Sequence, residues 1–201
     1  MSIRRFTAAL FGAAALATLL AGCPSESART FPHAVLTPAP AKELAAVSLT
    51  GEDGKPFTIA DLKGKWVWLY FGFTHCPDVC PAAMDYMAQE YNALKHKDRV
   101  VPLFVSVDPN RDTPAELKRY TDYYGPAFTG ATGAKADLDA LTKSVGAGYV
   151  IDKPKPGSTD YNVSHTNLVF VLDPEGRFIA GYVPAPTKGE MAADFDALPP
   201  S

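Results

Sequence analysis

The sequence predicts an α/β fold in which a central mixed sheet is flanked by helices. Two long apolar runs, at positions 66–73 and 100–107, are nearly continuous, which is typical of strands buried on both faces. Segments with helical spacing of apolar residues alternate with these runs. The chain closes with two further apolar runs around a turn and a last helical segment. Together these observations favour a sheet with helices on both of its faces.

Length and composition describe one globular domain. The chain has 201 residues, of which 47% are hydrophobic and 20% are charged, so it is long enough for a sizeable core. Its formal net charge is −3 at pH 7. A chain without an excess of basic residues is a poor candidate for binding the phosphate backbone of DNA or RNA. We therefore expect no nucleic-acid partner.

Positions 1–22 predict an export signal that is removed from the mature protein. Two arginines precede a run of small apolar residues at 6–20, and this run is short for a membrane span. The stretch Leu20–Cys23 resembles the lipobox of bacterial lipoproteins. That resemblance implies cleavage before Cys23 and a lipid on its thiol. The alternative is an ordinary signal peptide or an uncleaved signal anchor.

A lipid on Cys23 would hold the protein outside the cell's cytoplasm. We expect an oxidising compartment, at the periplasmic face, with the lipid in the cytoplasmic membrane. Positions 23–42 are rich in Pro, Ala and Ser and predict a flexible, lipid-anchored tether in which His33 is a solvated residue. The folded domain is expected to span 43–201.

The first half of the domain follows from local patterns. Alternating residues around the turn Gly51–Gly54 predict an N-terminal β-hairpin over 47–59. The strand over 66–73 leads into a helix over about 79–96, whose apolar residues recur at helical spacing. A second buried strand is expected over 100–107.

The second half begins with a clear helix start. Thr113 and Glu116 form a capping-box pattern with Pro114 at the first helical position, which predicts a helix to about position 124. The remaining predicted elements are a strand at 128–131, a helix at 134–145, an extended segment at 149–151, a loop at 153–160, a late β-hairpin with strands at 166–172 and 177–183, and a last helix at 187–198.

Two cysteines lie at the turn between the first long strand and its helix. With Cys23 assigned to the lipid, Cys76 and Cys80 are the thiols that remain. A cysteine pair in this place, with a hairpin and a helix closing the chain, is thioredoxin-like. Thiols four positions apart on a helix share a face, close enough for a disulfide or for one metal ion. A helix start also favours the thiolate.

The chemistry of this pair stays open at this point. Cys76 and Cys80 could form a disulfide, exchange one with another protein, or hold a soft metal ion. A purely structural disulfide would close a very small loop, so it would stabilise the fold little. The side chain of His75 is expected to diverge from Cys76. Asp108 and Arg111 follow a strand end, where α/β folds place functional groups, and a local ion pair is the alternative.

A late histidine is the remaining candidate. His165 is expected just before the first strand of the late hairpin, and in a thioredoxin-like fold that segment passes against the cysteine loop. His165 can therefore meet Cys76 and Cys80, which favours a ligand role; the alternative is a structural histidine with no part in the site. Thiolates suit Cu(I), and imidazole suits both Cu(I) and Cu(II). A structural zinc site normally takes four protein ligands rather than three.

Three parts of the sequence together resemble the Sco (SenC) family of copper chaperones: Phe71–Pro81 (FGFTHCPDVCP), Asp108–Pro114 (DPNRDTP) and His165. The resemblance spans about positions 47–198. It implies a thioredoxin-like fold that binds copper through Cys76, Cys80 and His165. It also implies a role in assembling the dinuclear copper centre of cytochrome c oxidase, whose copper-bearing subunit, or another copper acceptor, would be the partner.

One position departs from the family pattern. Many members carry an acidic residue immediately before the histidine, where this chain has Ser164. A carboxylate at that position often supports a metal-binding histidine through its second ring nitrogen. This chain therefore has no such support from the neighbouring residue.

The alternative function is thiol–disulfide exchange, with Cys76 and Cys80 as a redox-active pair. Such oxidoreductases usually carry Cys-x-x-Cys with a cis-proline opposite. Here three residues separate the cysteines, and His165 stands where the proline is expected. Both features favour copper handling, although whether the protein is also an enzyme stays open. A peroxidase is disfavoured because neither cysteine has a threonine three places before it.

Overall fold

The computed structural model describes residues 30–153, 160–185 and 189–199. Its strands are β1 (Leu49–Gly51), β2 (Pro56–Phe57), β3 (Trp66–Gly72), β4 (Val100–Ser106), β5 (Thr129–Gly133), β6 (Tyr149–Ile151), β7 (Val163–His165), β8 (Val169–Leu172) and β9 (Phe178–Tyr182). Its helices are α1 (Val79–Ala93), α2 (Pro114–Tyr124), α3 (Lys135–Val145) and α4 (Glu190–Asp196).

Seven of the strands form one mixed sheet, in the order β2-β1-β5-β4-β3-β8-β9. Strand β3 runs parallel to β4 and antiparallel to β8, and every one of its residues is buried. Because β3 and β4 are parallel, the loops that follow them emerge at the same end of the sheet. The predicted mixed sheet with flanking helices is confirmed, and so are both hairpins.

Helices α2 and α3 begin and end within one residue of the predicted bounds, whereas α1 ends earlier than predicted and α4 is shorter than predicted. Thr113 Oγ1 accepts a hydrogen bond from Glu116 N at 3.3 Å, and the Glu116 carboxylate accepts one from Thr113 N at 3.0 Å. This is the predicted capping box of α2. Helix α1 ends at Ala93 rather than near position 96, because Leu94 adopts an extended conformation.

The segment that carries His165 differs from the expectation. His165 is the last residue of β7, which pairs with β6 as a separate two-stranded sheet, and Tyr149 is its partner in the register. Thr166 N still donates to Gly148 O at 2.9 Å. The chain therefore changes partners only after Thr166, and the expected strand at 166–172 begins at Val169. Part of the loop predicted at 153–160 lies outside the described residues.

Residues 31–42, here called the N-terminal strap, lie along the edge of the sheet. Lys42 exchanges two backbone hydrogen bonds with Phe178 of β9, at 2.9 and 2.8 Å. Phe31 is 6% exposed, and its ring packs against Trp66 and Phe195 at centroid distances of 6.2 and 5.7 Å. The strap thus covers β9, which would otherwise be an open edge strand.

The strap is also held by a polar contact. His33 N and His33 Nδ1 lie 3.0 and 2.7 Å from the two carboxylate oxygens of Asp194, a side chain 2% exposed. His33 is exposed, as composition predicted, but this contact holds it against the domain rather than in a free linker. The signal at 1–22, Cys23 and the first part of the tether lie outside the described residues. Within the described ranges, no helix is both long and apolar enough to cross a membrane.

Candidate metal centre

The cysteine pair lies where β3 gives way to α1. Cys76 belongs to the connecting loop, and Cys80 is the second residue of the helix. The amide of Cys80 donates to Cys76 Sγ at 3.4 Å. Cys76 is 8% exposed and Cys80 is fully buried, and both are free thiols. The Cys76–Cys80 disulfide stays a prediction for the oxidised protein.

His165 completes a three-residue cluster. Its Nε2 lies 3.1 Å from Cys80 Sγ, and one ligand atom from each of Cys76, Cys80 and His165 lies within 4.8 Å of the others. His75, which adjoins Cys76 in the sequence, does not belong to this cluster. Its ring instead lies 3.3 Å from Asp112 through Nδ1.

The hydrogen bonding of His165 fixes which ring nitrogen is free. Nδ1 lies 3.2 Å from the carbonyl oxygen of Thr166, which can only accept, so Nδ1 carries the proton. In the neutral imidazole, Nε2 then presents its lone pair to Cys80 Sγ. Burial lowers the pKa of His165, and this favours the neutral ring that a metal ion needs. The Thr166 carbonyl thus supports His165 through its second ring nitrogen, the role that a carboxylate at position 164 would otherwise have.

Two aromatic rings hold the imidazole edge-on. The Tyr70 and Phe73 centroids lie 5.8 and 6.0 Å from the His165 centroid, at interplanar angles of 88° and 82°. The Tyr70 hydroxyl donates to Asn167 Oδ1 at 2.9 Å, which ties β3 to the chain just after His165. Because rings packed in this way cannot rotate freely, the imidazole is held in one orientation.

The space around Cys80 depends on a glycine. A Cβ atom at Gly72 would lie 2.7 Å from Phe104 Cε2 and 3.0 Å from Cys80 Sγ. Only a residue without a side chain therefore fits there. Burial raises the pKa of the Cys80 thiol, and it outweighs the effect of the helix start that the sequence predicted. A metal ion bound here must consequently displace the thiol proton.

Asp112 anchors the cysteine loop, and the sequence did not identify it as a site residue. Its buried carboxylate accepts hydrogen bonds from Thr74 N at 2.8 Å, from Thr74 Oγ1 at 2.6 Å and from Ser106 Oγ at 2.5 Å. The bonds hold the backbone two residues before Cys76. The only sequence signal was its place in the Asp108–Pro114 stretch. Asp108 and Arg111 of the same stretch form an ion pair with an O–N distance of 2.5 Å, in which Asp108 is fully buried and Arg111 is partly exposed.

The donor set fits copper. Two sulfur atoms of buried cysteines and one nitrogen of a half-buried imidazole converge here, and thiolates together with imidazole suit Cu(I). In the described part of the chain, the cluster holds three cysteine, histidine or acidic residues rather than four. A closed structural zinc site would use four protein ligands.

Comparisons with known proteins agree with this chemistry. Protein SCO2, mitochondrial, of Saccharomyces cerevisiae is 41% identical over 134 residues, which are 66% of this chain and 44% of that protein. The chain spans about half the length of the curated relatives it matches.

Solved structures cover the domain more completely. Bradyrhizobium japonicum ScoI with copper bound is 36% identical, with a TM-score of 0.67 over 75% of this chain and 95% of that chain. A SCO1/SenC family lipoprotein from Bacillus anthracis is 28% identical, with a TM-score of 0.63 over 77% of this chain and 92% of that chain. These likenesses confirm the thioredoxin-like fold. The family model described as SCO1/SenC matches residues 37–198, and the chain belongs to the SCO1/SenC family.

Proposed function

We propose that this protein is a copper metallochaperone that holds its cargo ion through Cys76, Cys80 and His165. The observation that carries the proposal is the convergence of these three ligand atoms within 4.8 Å, with His165 Nε2 directed at Cys80 Sγ. The copper bound to a relative with 36% identity over most of the domain supports the choice of metal.

The protein's own groups account for uptake and for release. Binding displaces a proton from each thiol, so affinity rises with pH. Three protein ligands leave one side of the ion open to ligands of an acceptor protein. Cys76 is 8% exposed whereas Cys80 is fully buried, so exchange with an acceptor would begin at Cys76.

The acceptor and the location rest on the sequence and the family. The resemblance implies the dinuclear copper site of cytochrome c oxidase as the acceptor. The lipobox-like Leu20–Cys23 supports removal of residues 1–22 and a lipid on Cys23, at the periplasmic face of the cytoplasmic membrane, with the domain beyond a tether. The Bacillus anthracis relative, which is a lipoprotein, supports the same arrangement. Labelled palmitate should enter the wild-type protein and not Cys23→Ala; equal labelling would contradict the anchor.

A second candidate function uses the same thiols. Both cysteines are reduced and adjacent, so the pair could reduce a disulfide in the copper acceptor. In that reaction the two thiols lose two electrons and two protons and form the Cys76–Cys80 disulfide, while the acceptor disulfide becomes two thiols. Copper binding needs the reduced pair, so the two functions are compatible.

Copper titration distinguishes these functions. Reduced wild-type protein should take up about one Cu(I) per chain, and oxidised protein should take up none, since the ligands are thiolates. His165→Ala should weaken binding, whereas His96→Ala, a change at an exposed histidine, should not. Unchanged binding by His165→Ala would contradict the three-ligand site. Rapid reduction of a protein disulfide that does not depend on His165 would favour the reductase.

A further inference from the structure

We propose that Tyr161 is a positioning residue for His165, an inference that rests on the proposed copper site. Tyr161 precedes β7 and contacts the loop after β4 in three ways. Its hydroxyl donates to Asp108 Oδ1 at 2.6 Å. Arg111 Nη1 donates to its carbonyl oxygen at 3.1 Å, and the Arg111 guanidinium carbon lies 3.7 Å from its ring centroid. These contacts with Asp108 and Arg111 are here called the Tyr161 clamp.

The base of the clamp is fixed to the sheet. Asp108 is fully buried, and its backbone amide donates to Ser106 Oγ at 3.0 Å. The amides of Arg111 and Asp112 donate to its carbonyl oxygen at 3.2 and 3.0 Å. A buried carboxylate paired with arginine and bound by a phenol has little freedom to move. The clamp therefore gives the chain before β7 a rigid attachment point.

The strand that carries His165 needs such an attachment. Within the described residues, β6 and β7 pair only with each other and are separate from the seven-stranded sheet. Each has three residues, and an isolated two-stranded ribbon is marginally stable. Backbone pairing fixes His165 relative to Tyr149, but it does not fix the ribbon relative to the cysteines. Side-chain contacts must do that.

The loop after β4 makes contacts to both halves of the metal site. Asp112 binds Thr74 of the cysteine loop, and Arg111 holds Tyr161 before the histidine. Arg111 also lies 5.6 Å from the ring centroid of Phe73, the ring that packs edge-on against His165. One short loop thus contacts both halves of the site and, together with the Tyr70 and Phe73 rings, sets the spacing between the thiols and the imidazole.

Tyr161→Phe tests the clamp with a small change. It removes the hydroxyl that donates to Asp108 and leaves a ring to stack on Arg111. Changes to residues that orient a metal ligand typically weaken metal binding by about 10- to 100-fold. We expect Tyr161→Phe to weaken Cu(I) binding, measured by competition with a chromophoric chelator, by about tenfold.

Tyr149→Phe is the matched control. Tyr149 lies on β6 opposite His165, and its hydroxyl donates to Asp139 Oδ1 at 2.7 Å. The control therefore deletes the same kind of bond from the same ribbon without touching the clamp. Its Cu(I) affinity should equal that of the wild type. In metal-free protein, amide hydrogen exchange in β7 should be faster in Tyr161→Phe than in Tyr149→Phe.

A double-mutant cycle shows whether Tyr161 acts through His165. In a His165→Ala background, Tyr161→Phe should cause no further loss of affinity, because the ligand it positions is gone. The Cu(II) form of Tyr161→Phe should also show an altered nitrogen hyperfine pattern, which thermal destabilisation alone would not produce. A further loss in the His165→Ala background, or equal affinities of Tyr161→Phe and the wild type, would overturn the positioning role.

The two proposals can fail separately. If His165→Ala weakens Cu(I) binding and Tyr161→Phe does not, only the positioning role is overturned. If His165→Ala binds Cu(I) as tightly as the wild type, the proposed three-ligand site is overturned and the positioning role falls with it.

Discussion

His165 Nε2 lies 3.1 Å from Cys80 Sγ, although the two residues are 85 positions apart in the chain. Helix α1 positions the sulfur and the β6–β7 ribbon positions the nitrogen. Neither element contacts the other through backbone pairing. The distance therefore depends on the side chains that pack between α1 and the β6–β7 ribbon. Substitutions at several of these and neighbouring positions test that dependence.

Gly72→Ala should lower both the stability of the fold and the affinity of the site for Cu(I). The added methyl group would lie 2.7 Å from Phe104 and 3.0 Å from Cys80 Sγ, so both must shift. Overpacking of this kind costs about 1–3 kcal/mol of unfolding free energy, and displacement of the sulfur should weaken Cu(I) binding as well. Urea denaturation and chelator competition measure the two effects.

Gly148→Ala is the control for that change. A Cβ at Gly148 meets no atom within 4 Å, so stability and Cu(I) affinity should stay near wild type. Equal behaviour of the two alanine variants would show that the close approach at Gly72 is not important for the site.

Asp112→Asn should loosen the cysteine loop. The carboxylate is fully buried and accepts from Thr74 N, Thr74 Oγ1 and Ser106 Oγ. An amide would present N–H groups to some of these donors, so we expect a loss of about 1.5–3 kcal/mol in unfolding free energy. Asp122→Asn, at an exposed residue paired with Lys118, should change it by less than about 0.5 kcal/mol. Similar losses in both variants would contradict an anchoring role for Asp112.

The strap should be most firmly held at low pH. The hydrogen bond from His33 to Asp194 raises the pKa of His33 above 6.5. A raised pKa in the folded state means that the stabilisation is fully present below about pH 6.5 and is lost as the pH rises through the raised value. Amide hydrogen exchange in residues 31–42 should therefore, after correction for intrinsic rates, show weaker protection at pH 9 than at pH 6. His33→Ala should abolish that difference and His96→Ala should keep it; a difference that persists in His33→Ala would count against the contact.

The pKa shift of His165 should change stability with pH in the opposite sense to that of His33. Burial lowers its pKa below 6.5 in the metal-free fold, so the unfolded chain binds a proton first as the pH falls. Unfolding free energy should therefore decrease from about pH 6.5 down to the lowered value, and remain insensitive to this group above pH 6.5. Urea denaturation of the metal-free wild type and of His165→Gln between pH 5 and 8 measures this pH dependence of the unfolding free energy. Parallel curves for the two proteins would contradict a depressed pKa.

The sequence alone determined the elements whose signals are local. The buried runs of β3 and β4 and the capping box of Thr113 and Glu116 depend on neighbours a few positions away, so pattern and spacing suffice to predict them. The cysteine pair was located at a strand-to-helix turn for the same reason. Periodicity does not identify His165; the thioredoxin-like order of the elements brought it to the cysteines, and the family resemblance then implied that it is a ligand.

Only the tertiary structure decided the contacts between distant residues. Asp112 binds Thr74 across 38 positions and His33 binds Asp194 across 161, and no local pattern indicates either pair. The strap looked like a linker because its composition is that of one, yet burial of Phe31 and pairing with β9 stabilise it against the domain. His165 lies in β7 rather than before the late hairpin because backbone pairing with β6 continues to Thr166. Long-range burial and hydrogen bonding, which are set by the whole fold, decided these features.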